Sequence, residues 1–534
     1  MLKSHRHQSS FLDTDFLCEE LIPEDSFYRK FKELVSPLIR DQDFESMYCT
    51  NNGRPAISPA LLAMATILQM QKNLSDREME RACMFDLEIK FALGLGIDER
   101  PFDHSSLGDF RKRLLENGKE KKIFDKILKK LVKDGLIEHD EIQRVDATHV
   151  IANIAIPTMI TLVKKGTYEI LKILKKSHEK IFTEVIHIIN EAEYTKEVIN
   201  HDPPRKMTPE KKRDKLVKVV DEALAVLKLV KDIEDVQLQE KVEILKRILQ
   251  EHIKDGDDGR PEEKKYKEKP SDLLVSPVDP DARFGCKAKG KDLKFKFHGY
   301  KANIMETVKS RFITSIDAIG GNRHDSTTLV NQSKEQKTFG LAPVKMIGDA
   351  AYSFAAHRKE LHDLGTQLVS PLGIRNTKTR AVLPKSMFIY DRENDILKCP
   401  MNVTTSAYTL DKKGIKNFRF PMSKCLRCPL VEICTKAEEG RRVVGISPEH
   451  EVLMEADRYN LTDEFKKDMK LRSPVEGKIS ELARRHDLRH ARYRGLKKMK
   501  LQCYFTAAVI NIKRWIKLTM SEEMIPKGQG IAYV

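Results

Sequence analysis

Apolar residues in the first 140 positions recur at helical spacing and are interrupted by clear stop signals. Ser58 and Pro59 form a typical N-cap and first helical residue, and Ser75 with Glu78 forms a capping box. The pattern predicts helices over 58–70, 75–94, 107–116 and 123–134. We therefore expect an all-α N-terminal unit, which is either a DNA-binding head of helix-turn-helix type or a plain helical scaffold.

After this unit the pattern alternates between strands and helices. Residues 142–156 have the β-branched density of a strand pair, 164–253 are long charged amphipathic helices, and 251–272 have the composition of a solvated linker. Strand patterns return at Leu293–Ile304, Arg311–Ile319, Val344–Ile347 and Gln367–Ser370, with helices between them at 326–337 and 355–364. This order predicts a mixed α/β fold whose five-stranded sheet is flanked by helices and interrupted by a helical insert.

The charge balance points to a polyanionic partner. The 534 residues include 96 Lys and Arg against 80 Asp and Glu, a formal net charge of +16, which suits DNA and equally an anionic membrane surface. The start of the chain lacks a signal-peptide pattern, and no apolar run reaches the roughly 18 residues that span a bilayer, so we expect a soluble cytoplasmic protein without membrane contact. Nine cysteines in such a chain favour free thiols or a metal cluster over disulfides.

Two aspartates lie where an unpartnered charge is costly. Asp146 is surrounded by strand-forming residues, and Asp349 ends another strand pattern with Gly348 beside it, which allows close approach. Cutting a phosphodiester at neutral pH requires an activated water and charge neutralisation, which two magnesium ions held by carboxylates supply. Asp146 and Asp349 are therefore candidate metal ligands.

Glu476 is a third candidate with a competing structural interpretation. Ser473 and Glu476 have the spacing of a capping box at a helix start, which gives the carboxylate a ready structural role. The predicted helix continues through a basic series: Arg484, Arg485, Arg489, Arg492, Arg494, Lys497, Lys498 and Lys500. A carboxylate at the head of such a helix is well placed to hold a metal ion while the helix body neutralises phosphates.

Three blocks of the sequence resemble the signature of insertion-sequence transposases that carry a DDE triad on an RNase H-like fold. The blocks are Val145-Asp146-Ala147-Thr148, Gly348-Asp349-Ala350-Ala351-Tyr352 and Arg472-Ser473-Pro474-Val475-Glu476. The helical head and the stretch from Arg492 to Asn511 also resemble this family, so the resemblance covers roughly residues 50–515. Two positions depart from the family pattern, since Met469 replaces a tyrosine and Ala483 replaces a lysine; Arg484 and Lys478 are the candidates to take over from that lysine.

The resemblance implies a function and a set of partners. It implies that Asp146, Asp349 and Glu476 hold two Mg²⁺ or Mn²⁺ ions, with Asp146 bridging both. Terminal inverted repeats would be nicked by hydrolysis, and the freed 3′-hydroxyl would attack target DNA. The enzyme would act as a homodimer on double-stranded DNA. It would be located in the bacterial cytoplasm, at the nucleoid when bound to DNA. The predicted DNA-binding residues in the head are Arg111 and Arg113. Those in the C-terminal part are Arg472, Arg484, Arg485, Arg489, Arg492, Arg494, Lys497 and Lys498. Two alternatives stay open: an RNase H-like nuclease without strand transfer, and a catalytically inactive transposon-derived DNA-binding protein.

These features divide the chain into six segments. They are a helical N-terminal DNA-binding domain (1–140), the first part of the RNase H-like catalytic domain (141–163), a charged helical insert and linker (164–272), the central part of the catalytic domain (273–390), a cysteine-cluster insert (391–440), and the catalytic Glu helix with basic C-terminal helices (441–534).

A cysteine cluster precedes the third acid. Cys399, Cys425, Cys428 and Cys434 supply four thiols, one pair at the two-residue spacing typical of a structural zinc site; four free cysteines are the alternative. Similar clusters occur at this place in the resembling transposases. Packing roles are expected for Cys18, Cys49, Cys83, Cys286, Cys503 and Trp515, and turn or cap roles for Asp279, Asp281, His324 and Asp325.

Overall fold

The computed structural model describes residues 11–49, 55–154, 157–202, 207–289, 293–372, 383, 385–412 and 414–523. Its helices are α1 Thr14–Leu17, α2 Phe27–Val35, α3 Pro59–Lys72, α4 Asp76–Phe85, α5 Leu87–Leu93, α6 His104–Glu116, α7 Lys122–Lys133, α8 Met159–Ser177, α9 Glu179–Ile188, α10 Lys196–His201, α11 Pro209–Leu229, α12 Val236–His252, α13 Leu329–Lys337, α14 Ala355–Asp363, α15 Met422–Cys425, α16 Val431–Cys434, α17 His450–Asn460, α18 Asp463–Arg472, α19 Val475–Ser480 and α20 Leu496–Glu523. Its strands are β1 Gln143–Ile151, β2 Ile253–Asp255, β3 Pro261–Glu263, β4 Arg283–Lys289, β5 Leu293–Thr307, β6 Ile313–Gly320, β7 Lys345–Ile347, β8 Gln367–Val369, β9 Ile389–Asp391, β10 Ile396–Lys398, β11 Thr404–Thr405, β12 Tyr408–Leu410, β13 Lys416–Arg419 and β14 Val443–Ile446.

The N-terminal head is helical, and its start signals work as the sequence indicates. The Ser58 hydroxyl accepts a hydrogen bond from the Leu61 N–H, with Pro59 in the first turn of α3. Ser75 and Glu78 form the capping box at the start of α4. The second predicted helix is broken, because Asp86 ends α4 in an extended conformation and its side chain caps α5.

Five strands give the order and directions of an RNase H-like sheet. β5 is antiparallel to both of its neighbours β6 and β1, and β7 and β8 continue the sheet parallel to β1. The predicted mixed sheet with flanking helices is confirmed. A sixth strand, β4, was not predicted and pairs with the first half of β5.

The predicted strand pair over 142–156 is wrong in one respect. Residues 143–151 form the single strand β1, because its alternating side chains pack on both faces of a central position in the sheet. Ile156, the predicted end of the pair, lies outside the described residues.

Gly299 lies where three strands meet, since it pairs with both Ile151 of β1 and Arg283 of β4. Its φ is +153°, and a Cβ at this position would lie 2.1 Å from the Val150 carbonyl oxygen and 2.7 Å from the Ala152 nitrogen. Only glycine allows this approach of two backbones.

Gly299→Ala is therefore expected to lower the free energy of unfolding by about 3 kcal/mol or more, because backbone atoms must separate. Gly108→Ala is the matched control: Gly108 lies within α6, and its Cβ would meet only the Arg111 guanidinium at 4.0 Å. That change is expected to be neutral or stabilising by up to about 1 kcal/mol. Thermal or denaturant unfolding compares the two variants, and equal stabilities would contradict the expectation.

The insert between β1 and β4 is a helical bundle with its own core. Apolar side chains of α8, α11 and α12 bury one another; they include Leu162, Leu174, Val219, Val226, Val242 and Leu245. Thr208 caps α11 as predicted. The predicted linker 251–272 contains a short hairpin of β2 and β3, and Asp272 pairs with Arg283 at 2.9 Å, so this segment is fastened to the sheet rather than freely solvated.

Between β8 and α17 the chain builds a small unit from two three-stranded sheets, β9–β11 and β12–β14. Its core consists of Phe388, Leu397, Phe418, Phe420, Val444 and Ile446, with Cys399, Cys425 and Cys434 packed against it.

Helix α20 joins the head to the sheet. It packs against α2, α3 and α7 on one side and against β6 on the other, and most of its residues are buried, including Trp515. Head, sheet and α20 consequently share one hydrophobic core. Among the described residues, no helix is both long and apolar enough to cross a bilayer.

Candidate active site

Asp146 lies in the middle of β1, opposite Ile304 of β5. Its neighbours Val145 and Ala147 are buried, so the alternation of the strand points the carboxylate to the other face. One carboxylate oxygen, Oδ1, accepts the N–H of Ala147 at 2.8 Å. The other, Oδ2, is directed at a cation.

Asp349 follows the end of β7, the parallel neighbour of β1. Its Oδ1 accepts the N–H of Ala351 at 2.8 Å, and the side chain is 42% exposed. Gly348 provides the close approach expected from the sequence, since a Cβ there would lie 3.0 Å from the Tyr352 ring and 3.1 Å from Val145.

Arg472 brings the two aspartates together. Its Nη2 atom lies 3.1 Å from Oδ2 of Asp146 and 3.8 Å from Oδ2 of Asp349. Two carboxylates from separate strands therefore face the same guanidinium nitrogen. The residue that forms this contact comes from the end of α18, more than 300 positions after Asp146.

Glu476 lies on α19, which packs against β1, and its side chain is exposed. The capping box predicted for Ser473 and Glu476 does not form: Pro474 is the N-cap, and no side chain caps the helix. The main structural explanation for Glu476 is thereby removed. Its helix packs against the strand of Asp146, and the convergence of the Glu476 carboxylate with the two aspartates stays a prediction.

A buried ionic network holds the segment that carries Arg472 and Glu476. Glu306 of β5 is fully buried and lies 2.8 Å from the Nε atoms of both Arg144 and Arg311. The Arg144 guanidinium also donates to the carbonyl oxygen of Leu471 at 2.8 Å. Lys478 of α19 approaches the same glutamate at 3.7 Å. This network ties the end of α18 and the whole of α19 to the strand of Asp146.

Tyr352 provides the test of whether a cation fits here. Its ring is buried, and its hydroxyl has no hydrogen-bond partner among the described residues. Burial, followed by the charges of Asp146, Asp325 and Asp349, holds the pKa of this phenol well above its usual range, whereas Arg472 acts in the opposite direction. A buried hydroxyl without a partner, near two aspartates, would suit a hydrated divalent cation.

Within the described part of the chain, no group of three or more His, Cys, Asp or Glu side chains is arranged to hold a metal ion. This applies to Asp146, Asp349 and Glu476 and also to the four clustered cysteines. The acids come together as a pair around Arg472.

Two family models match the chain. Residues 16–113 match a transposase domain (DUF772), and residues 398–516 match a transposase DDE domain. These matches support a DDE transposase of an insertion sequence. No curated protein and no solved structure matches the chain. The DDE match contains Arg472, Glu476 and all four clustered cysteines, whereas Asp146 and Asp349 lie outside both matched segments.

The basic residues after Glu476 do not lie on one helix, which corrects the sequence prediction. The helix of Glu476 ends at Ser480, a π-helical turn covers Glu481–Arg485, and α20 begins at Leu496. Between them, the backbone of 489–491 pairs with the end of β1 at Ile151. Exposed side chains among the predicted DNA-binding set are Arg113, Arg484, Arg485, Arg494, Lys497 and Lys498.

Other members of that set have partners within the protein. Arg111 is buried and pairs with Asp76 at 2.5 Å, with its guanidinium over the Tyr493 ring. Arg492 donates to the Leu74 carbonyl at 2.8 Å. Both side chains join the head to the C-terminal segment. Of the two residues considered in place of the family lysine, Lys478 is buried and Arg484 is exposed.

The secondary acids have the structural roles that the sequence favoured. Asp279 is buried and accepts hydrogen bonds from the Tyr300 hydroxyl and the Gly495 N–H. Asp281 accepts the Leu496 N–H at 2.8 Å, so both aspartates fasten the start of α20. His324 caps the turn 325–328.

The four clustered cysteines line one cavity of about 430 Å³. Burial raises the pKa of the Cys434 thiol; the nearby Arg442 lowers it, and Cys425, Cys428 and Cys399 raise it. Of the remaining cysteines, Cys18, Cys83 and Cys503 are buried as expected, whereas Cys49 and Cys286 are exposed, so packing does not explain them.

The sequence did not single out Glu306, Arg144 or Tyr352. Glu306 and Arg144 pair across 162 positions, a relation that no local pattern reveals. The available signal was the charge of Arg144 within a strand pattern, because such a charge needs a partner, whereas Glu306 lies beyond the predicted strand Leu293–Ile304.

Proposed function

We propose that the transposase cuts DNA at the terminal inverted repeats of its element and joins the freed 3′-hydroxyl to target DNA. Asp146, Asp349 and Glu476 are its catalytic acids. The observation that carries this proposal is the single Arg472 nitrogen that contacts both aspartates. Two metal-binding carboxylates that face each other repel before metal and DNA bind, and the charge of Arg472 would reduce this repulsion.

Asp146, Asp349 and Glu476 would hold two Mg²⁺ or Mn²⁺ ions. Such ions would supply an activated water and neutralise charge on the phosphate. The protein's own part is positioning. β1 and β7 fix the aspartates, the Glu306 network fixes the segment of Arg472 and Glu476, and Arg472 would bind the phosphate beside the aspartates.

Double-stranded DNA is the proposed partner, both as inverted repeats and as target. The cations Arg484, Arg485, Lys497 and Lys498 are exposed and would bind phosphates, and the head would add Arg113. Since two ends must be cut in one event, we propose that a homodimer assembles on the DNA.

The test is an assay on supercoiled plasmid that carries the two repeats flanking the gene, with purified transposase and Mg²⁺. Nicks at the repeat ends together with products joined to a second plasmid support the proposal. Nicks without joined products would restrict the protein to a nuclease. Binding of the repeats without cutting, in Mg²⁺ and in Mn²⁺, would contradict catalysis.

We also propose that Cys399, Cys425, Cys428 and Cys434 bind one structural Zn²⁺. Four thiolates around one cavity would form a closed site with no position for chemistry. The expected result is one zinc per chain by elemental analysis, lost in Cys425→Ser and Cys428→Ser.

Cys286→Ser is the control, because Cys286 is exposed and lies outside the cluster. Its zinc content is expected to equal that of the wild type. A wild-type chain purified with zinc in the buffer that still contains none would count against the site.

A further inference from the structure

A second basic site lies where the helical insert meets the C-terminal segment. A cavity of about 380 Å³ is lined on one side by α8 and α10 of the insert and on the other by Arg494. Its cations are Lys165, Lys172, Lys196 and Arg494, and Tyr168, Asn200 and Ser276 add polar groups. Glu169 is the one acid in this lining.

The charges in the cavity are not balanced. Glu169 is paired with Lys172 at 3.1 Å. Within the part of the chain that the structure describes, Lys165, Lys196 and Arg494 have no carboxylate at ion-pair distance. Burial lowers the pKa of the Lys165 ammonium, and the charge of Arg494 lowers it further. Two cations held close without a counter-ion cost stability, which a bound anion would recover.

The insert is built to hold these cations in place. Residues 165, 168, 169 and 172 repeat at the spacing of one face of α8. The adjacent face of the same helix contains Gly166, where a Cβ would lie only 2.9 Å from the Leu245 side chain. Close packing of α8 on α12 therefore fixes the direction in which Lys165 points.

Three arginines contact β1 and the residues that follow it. Arg472 contacts Asp146, Arg489 contacts the Thr148 hydroxyl at 3.2 Å, and Arg494 contacts the Asn153 carbonyl at 3.4 Å. The cavity lining includes Ile154, three positions after the end of β1, so the cavity lies just beyond the end of the strand that carries Asp146.

We propose that this cavity binds a backbone phosphate of DNA between Lys165 of the insert and Arg494. The inference rests on the proposed function for the identity of the ligand. It gives the helical insert a role as one side of the DNA-binding surface.

The test measures DNA binding in the absence of divalent metal, by fluorescence anisotropy on a labelled 40-base-pair duplex over a range of salt concentrations. The variants are Lys165→Met, which keeps the apolar stem, and the control Lys246→Met. Lys246 is an exposed lysine of α12 that pairs with Glu243 and lies outside the cavity. Thermal unfolding is measured on both.

We expect Lys165→Met to bind DNA about 5- to 20-fold more weakly near 0.1 M salt, with the slope of log affinity against log salt reduced by about one. Its melting temperature should equal or exceed that of the wild type, because a desolvated charge is removed. Lys246→Met should match the wild type in both. A lysine with only a structural role would lower the melting temperature without changing the salt slope.

Equal DNA affinity for Lys165→Met and Lys246→Met would overturn the proposal. A second result would also overturn it: inorganic phosphate raises the melting temperature of the wild type but not of Lys165→Met, while the two proteins bind DNA equally. The cavity would then bind a small phosphate ligand. Because binding without metal is independent of cutting, failure of the catalytic assignment would leave this result interpretable.

Discussion

Asp146→Asn is expected to lower cleavage at the repeat ends about a thousandfold or more, equivalent to ~4 kcal/mol of transition-state stabilisation. Asparagine keeps the acceptor for the Ala147 N–H but removes the charge that faces Arg472 and would hold the metal ions. Glu476→Gln is expected to cause a loss of similar size. Because both substitutions preserve shape, DNA binding without metal should stay within about twofold of the wild type.

The control for this pair is Asp463→Asn. Asp463 is an exposed acid in the first turn of α18, and its side chain pairs with the exposed Lys466. Its cleavage rate is expected to equal that of the wild type in the plasmid assay. Undiminished cutting by both Asp146→Asn and Glu476→Gln would remove the triad from the mechanism.

The second large effect concerns stability. Glu306→Gln is expected to lower the free energy of unfolding by about 3–5 kcal/mol, because Arg144 would be left buried without a compensating charge. Burial already lowers the pKa of the Arg144 guanidinium, and Glu306 opposes that shift. Denaturant unfolding measures the change, and cleavage should fall as well because the network positions Arg472.

Glu464→Gln is the matched control. Glu464 also pairs with a cation, Lys345, at 2.5 Å, but its own side chain is 61% exposed. Exposed ion pairs contribute less than about 1 kcal/mol, so this variant should unfold close to the wild type. Similar losses of stability in Glu306→Gln and Glu464→Gln would show that burial of the network is not what matters.

The sequence predicted those parts of the fold that depend on neighbouring residues. The capping box of Ser75 and Glu78 and the proline start of α3 are local features, and both formed. The mixed sheet followed from the alternation of strand and helix patterns. The same local logic gave Ser473 and Glu476 a capping box that the structure lacks, because Pro474 took the N-cap position.

The candidate site was predictable only in part. Asp146 and Asp349 were singled out because a charge within a strand pattern needs a partner, and the structure supplies Arg472 as that partner for both. Helical periodicity could not show that the basic series after Glu476 would be interrupted. There, hydrogen bonds between residues 489–491 and Ile151 replace the helix, and they join segments more than 300 positions apart.

Helix α20 has a mechanical consequence. Because the same helix fills the interior of both the head and the sheet, a force on either unit is transmitted to the other without an intervening hinge. If the head bends bound DNA, the strands that carry the aspartates would therefore move together with the head as one rigid body. Grafting the head of a related enzyme onto this chain would require transplanting the inner surface of α20 with it.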